Sequence, residues 1–158
     1  MHAESYTRNI EIAASPANVF RALTKELHKW WTTSAEDASA IGQTATSRFG
    51  ESYQTIVVKD LVPERRVVWG CVEHLQAGDT RWVHGEWVGT RMIWKIEPGS
   101  PGSRLTLVHR GLIPQLDCYD IWKEGWDRYA QSLKSYLETG TGSPYQDSAL
   151  PGATGKRP

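Results

Sequence analysis

The stretch from residue 42 to residue 111 constrains the fold most, because it consists almost entirely of strand-like segments separated by turn-forming residues. The predicted strands span residues 44–49, 53–61, 65–74, 86–97 and 104–111. They make two hairpins, one turning at Pro63, which suits the second position of a turn, and one turning across residues 98–102. A longer connection or a short irregular strand at residues 75–85 joins the hairpins. The pattern therefore predicts an antiparallel sheet.

The second hairpin alternates clearly between apolar and polar side chains. Its two apolar rows are Met92, Trp94 and Ile96 on one strand and Leu105, Leu107 and His109 on the other. An antiparallel sheet can pack one face on a core and leave the other in water, so these rows are predicted to face inward. The strands at 53–61 and 65–74 are apolar at both parities, and the sequence does not assign their faces.

Residues 117–138 predict one long amphipathic helix after the strands. Apolar side chains recur there every three or four positions, at Trp122, Trp126, Tyr129, Leu133 and Leu137. Gly125 interrupts this stretch at a cost of ~1 kcal/mol relative to Ala, so either it lets the sheet or a ligand approach closely or it has no role. Gly140 is typical of a helix terminus.

The N-terminal part predicts one strand and two short helices. Residues 6–13 alternate as a strand does, and Ser15-Pro16 is typical of a helix start. A second short helix is predicted at residues 25–31. Because helices and strands are segregated, the chain is predicted to be α+β, with a curved antiparallel sheet wrapped around the C-terminal helix. We expect residues 1–140 to form this domain and the Gly- and Pro-rich residues 141–158 to be a disordered tail.

Charge and composition limit the classes of partner. The chain carries 18 Lys and Arg against 18 Asp and Glu, so no nucleic-acid partner is predicted. No apolar run reaches the roughly 20 residues that span a membrane, and residues 1–10 do not resemble a signal peptide. A cytoplasmic location is predicted, with Cys71 and Cys118 reduced and at least half-buried.

Tryptophan is unusually frequent, with eight in 158 residues. Indole joins a large apolar body to one N–H donor, which suits pocket walls and interfaces. For any single Trp, packing in the core is the simpler interpretation, but several around one gap between helix and sheet predict a cavity. The predicted ligand-binding residues are Trp30, Trp31, Trp69, Met92, Trp94, Leu107, His109, Trp122 and Trp126.

His109 is the candidate for acid–base chemistry, because it shares the inward face of its strand with Leu107 and a neutral imidazole can exchange protons near pH 7. A structural histidine held by a neighbouring side chain is the alternative. His84 and Glu86 alone fall short of the three or four ligands that a metal site needs, so no metal is predicted. No nucleotide, nucleophile or dinucleotide motif is present, and no cofactor is predicted.

Several segments together resemble the START-related helix-grip superfamily, also called SRPBCC or birch-pollen-allergen-like. The segments are Ser15 to Thr24 followed by Trp30-Trp31, Gly89-Thr90-Arg91, Ser103 to Leu112, and Gly125-Trp126 with Ser132 to Gly140. They are most similar to the branch named for the activator of the heat-shock protein 90 ATPase, over roughly residues 5–140. The resemblance implies the helix-grip fold and, in many members, an apolar ligand between helix and sheet.

Three functions stay open at this point. The first is binding of an apolar or aromatic, lipid- or polyketide-like molecule without catalysis. The second is a cyclase- or hydrolase-like enzyme that uses His109. The third is a co-chaperone-like module that stimulates a heat-shock protein 90 type ATPase. The corresponding partners are a small apolar ligand, a second copy of the chain, or a chaperone.

Overall fold

The computed structural model describes residues 6–77, 83–85, 87–113 and 119–146. Its strands are β1 (Tyr6–Ile12), β2 (Thr44–Phe49), β3 (Ser52–Val62), β4 (Arg66–Gln76), β5 (Val83–His84), β6 (Arg91–Pro98) and β7 (Ser103–Arg110). Its helices are α1 (Pro16–Thr24), α2 (Leu27–Trp30) and α3 (Tyr119–Thr139). The order of elements and the α+β class agree with the prediction from sequence.

The strands form one antiparallel sheet in the order β1-β7-β6-β4-β3-β2, with the two-residue β5 paired to β4. The predicted rows of the second hairpin are confirmed, because Met92 lies opposite His109 and Trp94 lies opposite Leu107. All four of these side chains have no exposed surface. The inner face of the sheet is therefore the core face.

The two short helices begin and end close to the predicted positions. The Ser15 Oγ accepts a hydrogen bond from the backbone N–H of Asn18 at 3.2 Å, and Pro16 is the first helical residue of α1. The second helix is shorter than predicted, covering only Leu27–Trp30. The Trp30 indole N–H donates to the Ala22 carbonyl at 2.9 Å, which holds α2 against α1.

Helix α3 packs its apolar stripe onto the inner face of the sheet. Trp122, Trp126, Tyr129 and Leu133 are buried, as the spacing predicted. The hydroxyl of Tyr6 on β1 donates to Asp127 at 2.6 Å, which ties the helix to the edge of the sheet. The predicted first helical residues, 117 and 118, lie outside the described residues.

The prediction of a disordered tail after residue 140 is wrong for residues 141–146, which we call the C-terminal strap. The Tyr145 N–H donates to the Trp31 carbonyl and the Thr33 N–H donates to the Tyr145 carbonyl, both at 2.9 Å. A Cβ on Gly142 would meet the Lys29 carbonyl oxygen at 2.5 Å. The missing side chain of Gly142 therefore allows the strap backbone to approach α2 closely. The predicted tail residues 147–158 lie outside the described residues.

Two further observations concern the predictions about membrane spans and cysteines. Among the helices within the described ranges, none combines the length and apolar character needed to cross a membrane. Cys71 is buried, as predicted, and burial raises the pKa of its thiol to about 12, although a backbone hydrogen bond at Glu73 acts against this. Its thiol is therefore protonated at neutral pH. Cys118 is not among the described residues.

Candidate functional site

An aromatic cleft of about 320 Å³ lies between α3, the ends of β2, β3 and β4, and the C-terminal strap. Helix α3 contributes Trp122, Trp126 and Tyr129 to its walls. The remaining rings come from four separate places in the chain, namely Trp31, Phe49, Trp87 and Tyr145. These side chains meet because α3 and the strap close over one end of the curved sheet.

Only three of the nine predicted ligand-binding residues line the cleft: Trp31, Trp122 and Trp126. The other six are fully buried below it and do not line it: Trp30, Trp69, Met92, Trp94, Leu107 and His109. The reason is that the indoles stack on one another and fill the space. Trp31 lies nearly parallel to Trp69, with ring centroids 5.5 Å apart, and to Trp126, with centroids 5.7 Å apart.

His109 is held in a hydrogen-bonded chain inside this packed layer. The Trp126 indole N–H donates to His109 Nδ1 at 2.9 Å, so Nδ1 is unprotonated and the ring proton is on Nε2. Nε2 then donates to the Thr90 hydroxyl at 2.8 Å, and that hydroxyl donates to the Trp87 carbonyl at 2.6 Å. Burial, with a smaller effect from the charge of His74, lowers the pKa of His109 to about 3.

The alternative interpretation of His109 as a structural histidine therefore fits the geometry. Its inward orientation was predicted correctly, but both ring nitrogens have protein partners and the side chain has no exposed surface. A neutral imidazole so enclosed has no atom within reach of a molecule in the cleft. The proposed role of His109 in proton transfer is for this reason not supported.

The cleft also contains polar side chains that the sequence did not indicate. Both polar atoms of the Gln76 side chain have hydrogen-bond partners. Its Oε1 accepts from the Trp122 indole N–H at 2.9 Å, and its Nε2 donates to the Ser52 hydroxyl at 3.4 Å. Gln54 is only 6% exposed and lines the cleft, as does the exposed Arg128 on α3. None of these residues belongs to a recognisable motif. Because they are far apart in sequence, no sequence pattern indicated that they lie together.

Gly125 is the one cleft residue that the sequence singled out by its cost to the helix. It lines the cleft, and a Cβ built on it would have no atom within 4 Å. The absence of a side chain therefore leaves open space next to the helix backbone. Of the interpretations left open, close approach of the sheet does not fit this geometry, whereas close approach of a ligand and the absence of any role both fit it.

Within the described parts of the chain, no three His, Cys, Asp or Glu side chains come together as metal ligands would. Glu86 and the side chain of His84 lie outside what the structure describes. The cleft is thus an aromatic site with a few polar groups, which is the usual composition of a small-molecule site.

Residues 13–138 match the sequence pattern of the family described as Activator of Hsp90 ATPase homolog 1-like protein. Among solved structures, the chain is similar to the Aha1 dimer from Colwellia psychrerythraea, with 28% identity and a TM-score of 0.73 over 90% of this chain and 100% of that one. It is also similar to protein MLL2253 from Mesorhizobium loti, with 19% identity and a TM-score of 0.68 over 85% of this chain and 96% of that one.

A third similar structure is DynU16, from the dynemicin biosynthetic locus, with 19% identity and a TM-score of 0.66 over 93% of this chain and 52% of that one. No curated protein matches the chain. These similarities confirm the helix-grip fold that the sequence segments predicted.

Proposed function

Because the chain belongs to the family of Activator of Hsp90 ATPase homolog 1-like proteins, a branch of the helix-grip superfamily, we propose that it binds an apolar, aromatic small molecule in the cleft beside α3. The observation that carries this proposal is the ring of seven aromatic side chains around about 320 Å³ of open space. That volume lies at the lower end of the roughly 300–1,000 Å³ typical of ligand sites, which favours a compact, flat ligand over a long lipid.

The walls of the cleft are rigid before any ligand arrives. Trp126 stacks on Trp31 and on Trp87, with interplanar angles of 20° and 18°, and its N–H is fixed by His109. A preformed site loses little conformational entropy on binding. Burying about 200 Å² of apolar ligand surface would then contribute about 5 kcal/mol before the other costs of association. Micromolar affinity corresponds to about 8 kcal/mol, so polar contacts must supply the rest.

Filling the cleft from Gly125 tests this proposal. A Gly125→Leu side chain enters open space, and Leu favours a helix over Gly by about 0.8 kcal/mol, so the variant should fold at least as stably as the wild type. We expect it to lose at least tenfold in affinity for the neutral fluorescent probe N-phenylnaphthylamine, measured by fluorescence titration alongside thermal unfolding. Quenching of Trp fluorescence by sterols, fatty acids and flavonoid-like aromatics would then rank the ligand classes.

Glu124→Leu provides the matched control, because it adds the same side chain at the preceding position, which is exposed and outside the cleft. It should bind the probe as the wild type does. Equal affinity in the Gly125→Leu and Glu124→Leu proteins, or a flat response of the wild type to the probe and the whole panel, would contradict binding in this cleft.

A second candidate function is stimulation of an Hsp90-type ATPase, supported by the description of the family and by the 28% identity to the Aha1 dimer. It predicts that the chain raises the ATP turnover of a cognate Hsp90, measured in a coupled assay, and that Gly125→Leu has no effect on this rate because the interaction would use a surface. An unchanged turnover would contradict this function.

A homodimer, which the same similarity suggests, would be detected by sedimentation. The cytoplasmic location predicted from the sequence suits both functions.

A further inference from the structure

Apart from indole N–H groups such as that of Trp87, four polar groups around the cleft have no hydrogen-bond or ion-pair partner in the parts of the chain that the structure describes. They are the side-chain amide of Gln54, the hydroxyls of Tyr129 and Tyr145, and the guanidinium of Arg128. Gln54 is the most informative of the four, since only 6% of the residue is exposed, yet its amide is not among the fully enclosed polar atoms and the residue lines the cleft. An amide placed in this way can hydrogen-bond a molecule in the cleft.

All four groups can act as hydrogen-bond donors. The guanidinium has five N–H groups, the amide has two, and each Tyr hydroxyl has one. Burial raises the pKa of Tyr129, the positive charge of Arg128 lowers it and Tyr145 raises it, so the Tyr129 hydroxyl keeps its proton at neutral pH.

The electrostatics of the cleft favour a negative ligand. Arg128 is the one charged side chain among its described lining residues, and no carboxylate lies there to neutralise it. The guanidinium lies over the ring of Tyr129, 5.3 Å from its centroid, which orients it along the cleft wall. The remaining polar lining groups, Ser52 and Gln76, are already bonded to each other.

We propose that the ligand is an aromatic acid, whose anionic oxygen group is bound by Arg128 with Tyr129, Tyr145 and Gln54 as further donors. This inference rests on the proposed function, because it specifies the ligand of the same cleft. The aromatic body occupies the space beside Gly125, and the acid lies towards the exposed side where Arg128 is located. A carboxylate, a sulfonate or an ionised phenol supplies the same chemistry.

A pair of probes that share one ring system and differ by a sulfonate group tests the inference. N-phenylnaphthylamine is neutral, and anilinonaphthalene sulfonate carries one negative charge on the same ring system. We expect the wild type to bind the anionic probe about tenfold more tightly, since a charge-assisted hydrogen bond is stronger than a neutral one. Arg128→Gln should reduce affinity for the anionic probe about tenfold and leave that for the neutral probe within twofold. Added salt should weaken the binding of the anionic probe and leave that of the neutral probe unchanged.

Lys123→Gln is the matched control, since it removes one positive charge from the same helix at an exposed position outside the cleft. It should leave both affinities unchanged, and Tyr145→Phe should weaken only the anionic probe. Equal binding of the two probes by the wild type overturns the inference but leaves the proposed function intact. Equal weakening of both by Arg128→Gln also overturns it. If neither probe binds, the proposed function fails together with the inference.

Discussion

At the scale of single residues, His109 shows how burial selects one chemical state of a side chain. Its neighbours Trp126 and Thr90 require opposite roles from the two ring nitrogens, and only the neutral imidazole supplies one acceptor and one donor. The inward orientation followed from the alternation of β7. The partners could not be predicted, because Trp126 belongs to α3 and Thr90 to a turn, and nothing in the sequence pairs them.

This state makes stability depend on pH in a definite direction. The pKa of His109 is lowered to about 3 in the folded protein, so between pH 6.5 and 3 the unfolded chain binds a proton that the folded one does not. The contribution of neutral His109 to the free energy of unfolding is fully present above pH 6.5 and is lost as the pH falls towards 3. At pH 5 the free energy of unfolding should be about 2 kcal/mol lower than at pH 7 because of this residue.

Urea unfolding at pH 7 and pH 5 measures the effect, since both values lie above the ordinary pKa of Asp and Glu. His109→Gln is the comparison, because its amide can accept from Trp126 and donate to Thr90 without titrating. We expect the variant to lose about 2 kcal/mol less than the wild type over this interval. An equal loss in both proteins would show that His109 does not titrate as described.

At the scale of elements, the sequence predicted those helices and strands whose apolar residues recur with a regular period. The hairpin of β6 and β7, the capped start of α1 and the stripe of α3 were all recognisable, because each buries one face and exposes the other. The sequence did not show which side chains of β3 and β4 face the core. Their ladder contains two register shifts, between Thr55 and Ile56 and between Val58 and Asp60, which break the period of two.

A second reason lies on the outer face of the sheet. Val68 on β4 points outward but is only 8% exposed, and it pairs with Ile93, which in turn pairs with Val108. This apolar row makes both faces of the central strands look alike in sequence. The cleft was hidden for a related reason: its rings come from five parts of the chain, so helical spacing revealed only those on α3 and the open position at Gly125.

At the scale of the whole molecule, the C-terminal strap joins elements that are far apart in sequence. The Ser132 hydroxyl on α3 donates to the Trp30 carbonyl at 2.8 Å and accepts from the Ser143 N–H at 2.7 Å. The Tyr145 ring packs on Phe49 of β2 with centroids 5.5 Å apart. The strap therefore closes the fold and forms a wall of the cleft at the same time, so stability and binding depend on the same six residues.

Shortening the chain and substituting Tyr145 together separate these two contributions. A chain ending at Gly140 loses the two backbone bonds of Tyr145, the Ser143 bond and the packing on Phe49, compared with a chain ending at Gln146. We expect its free energy of unfolding to fall by roughly 1–3 kcal/mol, measured in urea, and its affinity for N-phenylnaphthylamine to fall at least tenfold. Tyr145→Ala in the chain ending at Gln146 keeps the backbone bonds and should lose affinity with a smaller loss of stability. Identical unfolding midpoints and affinities for the two truncated chains would show that the strap neither supports the fold nor forms the cleft.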